Sequence, residues 1–303
     1  MSKIVVVGSI SMDLVMRTKR IPEGGETIFG DSFNIVPGGK GANQAVAIGR
    51  LSSVEDNIYI FGNVGSDIFS ADLLSNLQDN NISVEHVGTI PQSTGVAQIT
   101  LYGGDNRIIY YPGANNLVRT NDWKNEWELI SDASIVVLQN EIPHEANLSI
   151  AQFCQENQVK VLYNPAPARE TDKEMIPFCD FITPNEHECS ELFPDKKLEE
   201  IIKMYPNKMI VTLGVEGSIY YDGTAVKKIP AIKAEVVDTT GAGDTFNGAF
   251  AYAISKGKEM DVALSFATIA SHLSVQRFGA QGGMPSLKEI KEHSGYEEIW
   301  DFK

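Results

Sequence analysis

Cysteine is scarce in this sequence of 303 residues, which has three cysteines. Cys154, Cys179 and Cys189 have neither CxxC spacing nor an even count, so a disulfide framework and a structural zinc site are both disfavoured. The five histidines show no metal-binding spacing. We expect buried thiols in a protein of the reducing cytoplasm.

Basic residues are also in short supply, with 25 Lys and Arg against 40 Asp and Glu and a net charge of −15. This balance argues against nucleic acid or an anionic membrane as a partner, because both require a basic face. No apolar run approaches the length of a membrane span. The stretch at 3–8 is too short for a signal peptide and predicts a buried first strand.

What the chain does have is an apolar content of 43%, sufficient for a large core in one domain with an appendage or in two domains. Strand-like and helix-like stretches alternate, which predicts an α/β fold with a doubly wound, mostly parallel sheet and helices on both faces. The predicted strands are 4–7, 57–62, 135–138, 160–163, 181–183 and 209–212, and the predicted helices include 42–51, 67–80, 144–157 and one or two within 286–303.

Two regions interrupt the alternation, at about 14–36 and 94–111. In the second region, two apolar runs flank a turn at 103–106, which predicts a β-hairpin. Strands outside the main alternation indicate a small separate sheet.

The segment 237–250 predicts a short apolar strand, a Gly-rich turn and a helix that begins near Asp244. Gly241 and Gly243 allow backbone N–H groups to approach an anion, and the helix N-terminus faces the same anion. A carboxylate at such a site repels phosphate, so its presence indicates a task, such as taking a proton from a hydroxyl. The alternative is a tight turn in which Asp244 caps the helix.

A second segment, 37–45, places two glycines, Lys40 and an amide at the start of another helix. Lys40 is not a Walker A lysine, because the spacing of the glycines differs and no Ser or Thr follows. A cation at a helix start opposes the helix dipole unless an anion or a polar ligand is present. The turn at 8–13 follows the first strand but lacks GxGxxG, so a dinucleotide oxidoreductase is disfavoured.

Together, 37–45 and 237–250 match the two signature motifs of the ribokinase-like (PfkB) carbohydrate kinases, and the chain resembles this family over nearly its whole length. The resemblance implies a single domain over 1–303, with the strands of 14–36 and 94–111 forming a lid over a sugar site. It also implies ATP-dependent phosphorylation of the 5-hydroxyl of D-ribose, with Mg²⁺ and with K⁺ as activator. Because exposed strands often pair between subunits, we also consider a homodimer through the lid strands.

The resemblance also implies roles for individual residues. Asp244 is the expected base, and the amides of Gly241, Ala242 and Gly243 are expected to stabilise the phosphoryl group. Sugar contacts are expected from Ser11, Asp13, Gly39, Lys40, Asn43, Glu141 and Asp244. ATP contacts are expected from Asn185, Thr212, Gly214, Gly217, Gly243 and Thr268. Water-mediated Mg²⁺ contacts are expected from Asn185 and Glu188, and K⁺ contacts from Asp238, Thr240, Ser274, Arg277, Gly279 and Gly283.

The identity of the substrate is left open by one departure, since ribose-specific members of this family usually carry Asn where this chain has Ser11. The alternatives are a kinase for deoxyribose, fructose or adenosine, and a non-catalytic sugar sensor. The intact Asp244 and its glycines argue against the sensor, because binding alone does not need a base.

Overall fold

The structure is a computed structural model that describes residues 2–103, 105–120, 123 and 126–302. Gly104 in the predicted turn at 103–106, and Lys303 at the end of the predicted C-terminal helices, lie outside the described residues.

The strands and helices alternate along most of the chain. The strands are β1 Lys3–Val7, β2 Ser11–Arg17, β3 Ser32–Gly38, β4 Asn57–Gly65, β5 Ile82–Ser83, β6 Val87–Ile90, β7 Gly95–Tyr102, β8 Asp105–Tyr111, β9 Ile135–Gln139, β10 Lys160–Asn164, β11 Phe181–Ile182, β12 Ile210–Thr212, β13 Ser218–Tyr221 and β14 Val226–Ile229. The helices are α1 Lys40–Leu51, α2 Ser70–Asp79, α3 Trp127–Ser131, α4 His144–Glu156, α5 Glu186–Leu192, α6 Leu198–Met204, α7 Ala242–Ser255, α8 Met260–Ser274, α9 Ala280–Gly283 and α10 Leu287–Lys291.

The main sheet has the strand order β11-β10-β9-β1-β4-β5, with β6 paired to β4, and all of these pairs are parallel. In the central strand β1, Ile4 and Val6 belong to one hydrophobic cluster, and Val5 and Val7 belong to another. The first cluster includes residues of α1, α2, α7 and α8, and the second includes residues of α4, α5 and α6. The sheet is therefore covered by helices on both faces, which confirms the predicted fold class.

A separate four-stranded sheet has the order β3-β2-β7-β8 and comes from the two regions that interrupt the alternation. Its central pair β2 and β7 is parallel, and its outer pairs are antiparallel. A third, antiparallel sheet, β12-β13-β14, adjoins the main sheet through an isolated parallel bridge between Ile182 and Met209.

The strand predicted just before Gly241 is wrong. Residues 231–240 form no strand, and the side chains of Val236 and Val237 are more than half exposed. The backbone is fixed instead by the carbonyl of Val275, which accepts hydrogen bonds from the N–H groups of Val237 at 2.8 Å and Asp238 at 3.2 Å.

The helix after this segment begins two residues earlier than predicted. Its N-cap is Gly241, with φ +76, and Asp244 is the third residue of α7. The alternative in which Asp244 caps the helix is therefore also wrong.

None of the helices in the described part of the chain has the length and apolarity needed to cross a bilayer.

Candidate active site

The site is built where β1 ends, at the carboxyl edge of the main sheet. The backbone of α1 lies directly against this edge, since a Cβ on Gly41 would lie 2.6 Å from the carbonyl carbon of Gly8 and the nitrogen of Ser9. Only glycine permits this approach, and it brings Lys40 and Asn43 next to the strand end.

A carboxylate from the next strand holds the start of α1. Glu141, which follows β9, accepts hydrogen bonds at Oε2 from the hydroxyl of Ser9 at 2.6 Å and from the backbone N–H of Lys40 at 2.9 Å. A carboxylate at a helix N-terminus is stabilised by the unpaired N–H groups and by the helix dipole. This contact places Glu141 beside the Gly-Lys turn, where the sequence predicted a sugar site.

The ammonium of Lys40 lies among carboxylates. Burial lowers its pKa, but Asp244, Glu141, Glu188 and Asp13 together outweigh that effect and raise the pKa above its usual value. Four carboxylates from separate parts of the chain therefore act electrostatically on one cation, and Lys40 stays charged.

Asp13, on β2, is only 8% exposed. Burial, together with the charges of Glu141 and Asp244, raises the pKa of Asp13 to about 7 against the opposing effect of Lys40. Its carboxyl group also requires Gly38 on the neighbouring strand, because a Cβ there would lie 2.3 Å from Asp13 Oδ1. This buried carboxyl group is held close to other negative charges at a cost in stability, as is typical of a ligand-binding group.

The raised pKa of Asp13 predicts a pH-dependent stability. The pKa of about 7 in the folded protein lies above the ordinary value of 3.8 for an Asp side chain, which applies to the unfolded chain. Asp13 should therefore destabilise the ligand-free protein increasingly as the pH rises from 4 to 8, by up to about 4 kcal/mol when fully ionised. The Asp13→Asn variant should gain in Tm over the wild type as the pH is raised from 5 to 8, measured by calorimetry without ligands. A Tm difference that does not change with pH would contradict this assignment.

Asp244 is buried, and amide groups hold both of its oxygens. Its Oδ2 accepts a hydrogen bond from Asn43 Nδ2 at 2.9 Å, and its Oδ1 accepts one from Gln44 Nε2 at 3.1 Å. The structure thus connects the two Gly-rich segments through hydrogen bonds between α1 and α7. Gln44 did not emerge from the sequence as a site residue, because its position on α1 gives no sign of what faces it.

A second missed residue lies next to Ser11. Asn115 Nδ2 donates to Ser11 Oγ at 3.0 Å and to Tyr110 OH at 3.1 Å, and Asn115 Oδ1 accepts from the N–H of Ile10 at 2.9 Å. An amide group therefore lies against Ser11 although the chain lacks Asn at position 11. Asn115 is in the 3-10 turn Gly113–Leu117, about a hundred residues from Ser11, and no local spacing could reveal the contact.

Asn185 and Glu188 form a capping box at the start of α5. Glu188 N donates to Asn185 Oδ1, and Asn185 N donates to Glu188 Oε2, both at 2.8 Å. Burial raises the pKa of Glu188, whereas Lys40 lowers it. The segment therefore forms an ordinary helix start, and its carboxylate also acts electrostatically on Lys40.

The predicted nucleotide residues fall into two places. Thr212 ends β12, and Gly214 and Gly217 belong to the turn that joins β12 to β13 in an antiparallel hairpin. Thr268 is buried on α8, where its hydroxyl donates to the carbonyl of Leu264 at 2.8 Å.

The predicted cation residues meet beneath the Gly-rich turn. Asp238 accepts from the N–H of Thr240 at 2.9 Å, from its hydroxyl at 2.7 Å, and from the N–H of Gly279 at 2.9 Å. A Cβ on Gly283 would lie 2.2 Å from the carbonyl oxygen of Ser274. The side chain of Arg277 points away from this cluster, to Glu289, so only its backbone is available.

A cavity of about 640 Å³ separates the four-stranded sheet from the segment before the turn. Its walls include Arg17 and Tyr102 from that sheet, and Asp238, Thr240 and Phe278 from the other side. Asp238, Thr239 and Thr240 line the cavity directly before Gly241, so the cavity lies next to the Gly-rich turn.

No group of three or more His, Cys, Asp or Glu side chains that could hold a metal ion occurs among the described residues. A metal ion at this site would therefore need most of its ligands from water and from a bound anion, which is the coordination that Mg²⁺ prefers.

The chain is similar to known proteins over nearly its whole length. The model of the family described as pfkB family carbohydrate kinase matches residues 1–287. A ribokinase of Lactococcus lactis subsp. lactis is 61% identical over 291 residues, which are 96% of this chain and 96% of that protein. A ribokinase of Bacillus subtilis is 43% identical over 96% of this chain and 99% of its own length. The structure of Arabidopsis thaliana ribokinase complexed with ribose and ATP matches with a TM-score of 0.84 and 32% identity over 100% of both chains.

Proposed function

Because this chain belongs to the pfkB family of carbohydrate kinases, we propose that it transfers the γ-phosphoryl group of ATP to the 5-hydroxyl of D-ribose. The observation that carries the proposal is the buried carboxylate of Asp244 in the first turn of α7, immediately after the Gly-rich N-terminus. The ribokinases among the relatives and the ribose and ATP in the Arabidopsis structure supply the choice of substrates.

In this proposal, Asp244 takes the proton of the sugar hydroxyl as the oxygen attacks phosphorus. The N–H groups of Gly241, Gly243 and Asp244, at the N-terminus of α7, have no carbonyl of a preceding helical turn to bond and are assigned to stabilise the negative charge on the phosphoryl group. The N–H group of Ala242 donates to the carbonyl of Thr239 at 3.2 Å and would contribute through its dipole. Ser11, Asp13, Gly39, Lys40, Asn43 and Glu141 are assigned to the sugar, and Asn185, Thr212, Gly214, Gly217, Gly243 and Thr268 to the nucleotide.

An ATP-dependent kinase requires a divalent metal such as Mg²⁺. The residues that would hold it are Asn185 and Glu188, through water, and the ion would neutralise charge on the phosphates. The four-stranded sheet is assigned as the lid of a single domain over 1–303, with the role of excluding water from the site.

Substrate choice provides the test of this function. In a coupled ADP-release assay over pentoses, hexoses and nucleosides, D-ribose should have the highest kcat/KM. A margin of about tenfold or more is expected, because a site that hydrogen-bonds hydroxyls rejects sugars that leave its buried polar groups unpaired. If adenosine or fructose is preferred, the ribose assignment is wrong while the kinase assignment stands. If deoxyribose is preferred, the ribose assignment is also wrong, and Ser11 and Asn115 do not select for the 2-hydroxyl that deoxyribose lacks.

Activation by K⁺ is part of the proposal. Asp238, Thr240 and Gly279 are already joined by hydrogen bonds, and the Ser274, Arg277, Gly279 and Gly283 backbone would offer carbonyl oxygens. A cation there would fix the amides of the turn above it, so kcat should be higher in K⁺ than in a bulky organic cation at matched ionic strength. Equal kcat values in the two salts would contradict the proposed K⁺ site.

Two further assignments belong to the proposal. The edge strands of the lid expose Ile35 on β3 and Ile109 on β8, and we infer a homodimer that pairs lid strands. A sedimentation mass equal to one chain of 33.2 kDa would exclude it.

A cytoplasmic location fits the free, buried state of Cys154, Cys179 and Cys189, and detection of the enzyme outside the cytoplasm would contradict it.

A further inference from the structure

Gln44 is completely buried on α1 and makes three hydrogen bonds with its side-chain amide. Its Nε2 donates to Asp244 Oδ1 and to Asn164 Oδ1, both at 3.1 Å, and its Oε1 accepts from Gln139 Nε2 at 2.7 Å. No role in sugar or nucleotide binding is assigned to Gln44, so its contact with the base calls for a separate explanation.

The orientation of this amide is fixed by the neighbouring groups. Asn164 Nδ2 donates to the backbone carbonyl of Thr183 at 2.8 Å, and a carbonyl can only accept. Asn164 must therefore present its oxygen to Gln44, and Gln44 must present its NH₂ group to Asn164 and Asp244. Turning either amide over would bring two oxygens together inside the core, which is strongly unfavourable.

The other oxygen of Asp244 has a partner that can reverse. Asn43 donates to Oδ2, and Asn43 Oδ1 accepts from Gln281 Nε2 at 3.0 Å. Gln281 Oε1 in turn accepts from Asn76 Nδ2 at 2.7 Å. The chain of hydrogen bonds through Asn43 and Gln281 thus ends at the partly exposed side-chain amide of Asn76. The chain through Gln44 and Asn164 ends at a backbone carbonyl, which cannot turn over. All three amides can turn over together, after which Asn43 would accept a hydrogen bond from a protonated Asp244.

We propose that Gln44 is a positioning residue that holds Asp244 Oδ1, so that Oδ2 is the oxygen that receives the proton of the sugar hydroxyl. This inference rests on the proposed function. In the step, the O–H bond of the sugar breaks and its proton moves to Oδ2. The freed oxygen forms a bond to the γ-phosphorus, the bond from that phosphorus to the bridging oxygen breaks, and ADP leaves.

The test is a double-mutant cycle with Gln44→Met, which keeps the side-chain length and removes the donor. We expect kcat with ribose to fall by about 10- to 100-fold, because a mispositioned base transfers protons poorly, while KM for ribose changes little. Since Gln44 acts through Asp244, adding Gln44→Met to Asp244→Asn should cause almost no further loss. A purely structural role would lower the activity of both backgrounds by the same factor.

Asn147→Leu is the matched control. Asn147 is equally buried and its Nδ2 donates to the carbonyl of Gln139 at 2.7 Å, but it does not contact Asp244. This variant should lower the thermal midpoint and leave kcat unchanged.

If Gln44→Met does not fold, Gln44→Glu replaces it in the cycle. A carboxyl group at this position can donate to Asp244 only when protonated, so its kcat should fall further below the wild type as the pH rises. Lys40, Asp13 and Glu188 also interact electrostatically with Asp244, but these three residues are the same in the wild type and in Gln44→Glu.

The outcomes separate the inference from the function. Wild-type kcat in Gln44→Met, or multiplicative losses in the cycle, would overturn the role of Gln44 while the proposed function stands. A wild type that does not phosphorylate ribose would overturn both.

Discussion

Replacing Asp244 with Asn is expected to lower kcat for ribose phosphorylation by about two to four powers of ten. The new side chain cannot take a proton from the sugar hydroxyl. It should still fit, because its oxygen can face Gln44 and its NH₂ group can face Asn43, whose amide is able to turn over. Helix capping is not affected, since the N-cap is Gly241.

The measurement is kcat by coupled ADP release, together with calorimetric binding of ribose to both proteins. Binding should persist in Asp244→Asn at a similar affinity. Turnover near the wild-type rate would show that Asp244 is not the base.

Placing a methyl group on the Gly-rich turn should inactivate the enzyme without harming the fold. Gly243 is exposed, has no left-handed φ, and a Cβ there would meet no atom within 4 Å. Gly243→Ala should therefore keep or raise the Tm, since alanine favours a helix more than glycine by about 0.5–1 kcal/mol. If the phosphoryl group approaches this turn, the methyl displaces it, and kcat should fall on the order of 100-fold.

Gly241→Ala provides the contrast. Gly241 has φ +76, and a Cβ there would lie 2.7 Å from the Cα of Ala280, so this variant should lose stability as well as activity. A Gly243→Ala variant with normal kcat would mean that the phosphates do not lie against the turn.

The sequence was most informative where structure is determined locally. Buried parallel strands are continuous apolar runs, so the predicted bounds of β1, β9 and β10 lie within one residue of the observed ones, whereas β4 continues to Gly65, beyond its predicted end at 62. The strand before Gly241 was wrong for the same reason, since Val236 and Val237 form an apolar run that the fold leaves exposed. What holds that segment is the distant carbonyl of Val275, which no local pattern could reveal.

The candidate site shows the same limit. The sequence indicated Asp244 and its glycines in one segment, and Lys40 and Asn43 in another. In each segment the residues are close neighbours in the sequence, so their pattern is visible without the fold. The hydrogen bond that joins Gln44 to Asp244 spans 200 positions, and that from Asn115 to Ser11 spans 104. Contacts of this kind depend on how the strands and helices pack, so they became visible only in the folded chain.

The central claim is tested most directly by identifying the product. Purified wild-type protein with ATP, Mg²⁺, K⁺ and D-ribose would be followed by ³¹P NMR. We predict that the ATP γ-phosphate signal is replaced by that of a phosphate monoester on the 5-oxygen of ribose, formed in equal amount with ADP. Ribose binding without any ADP, or ADP formed with inorganic phosphate alone, would contradict the account.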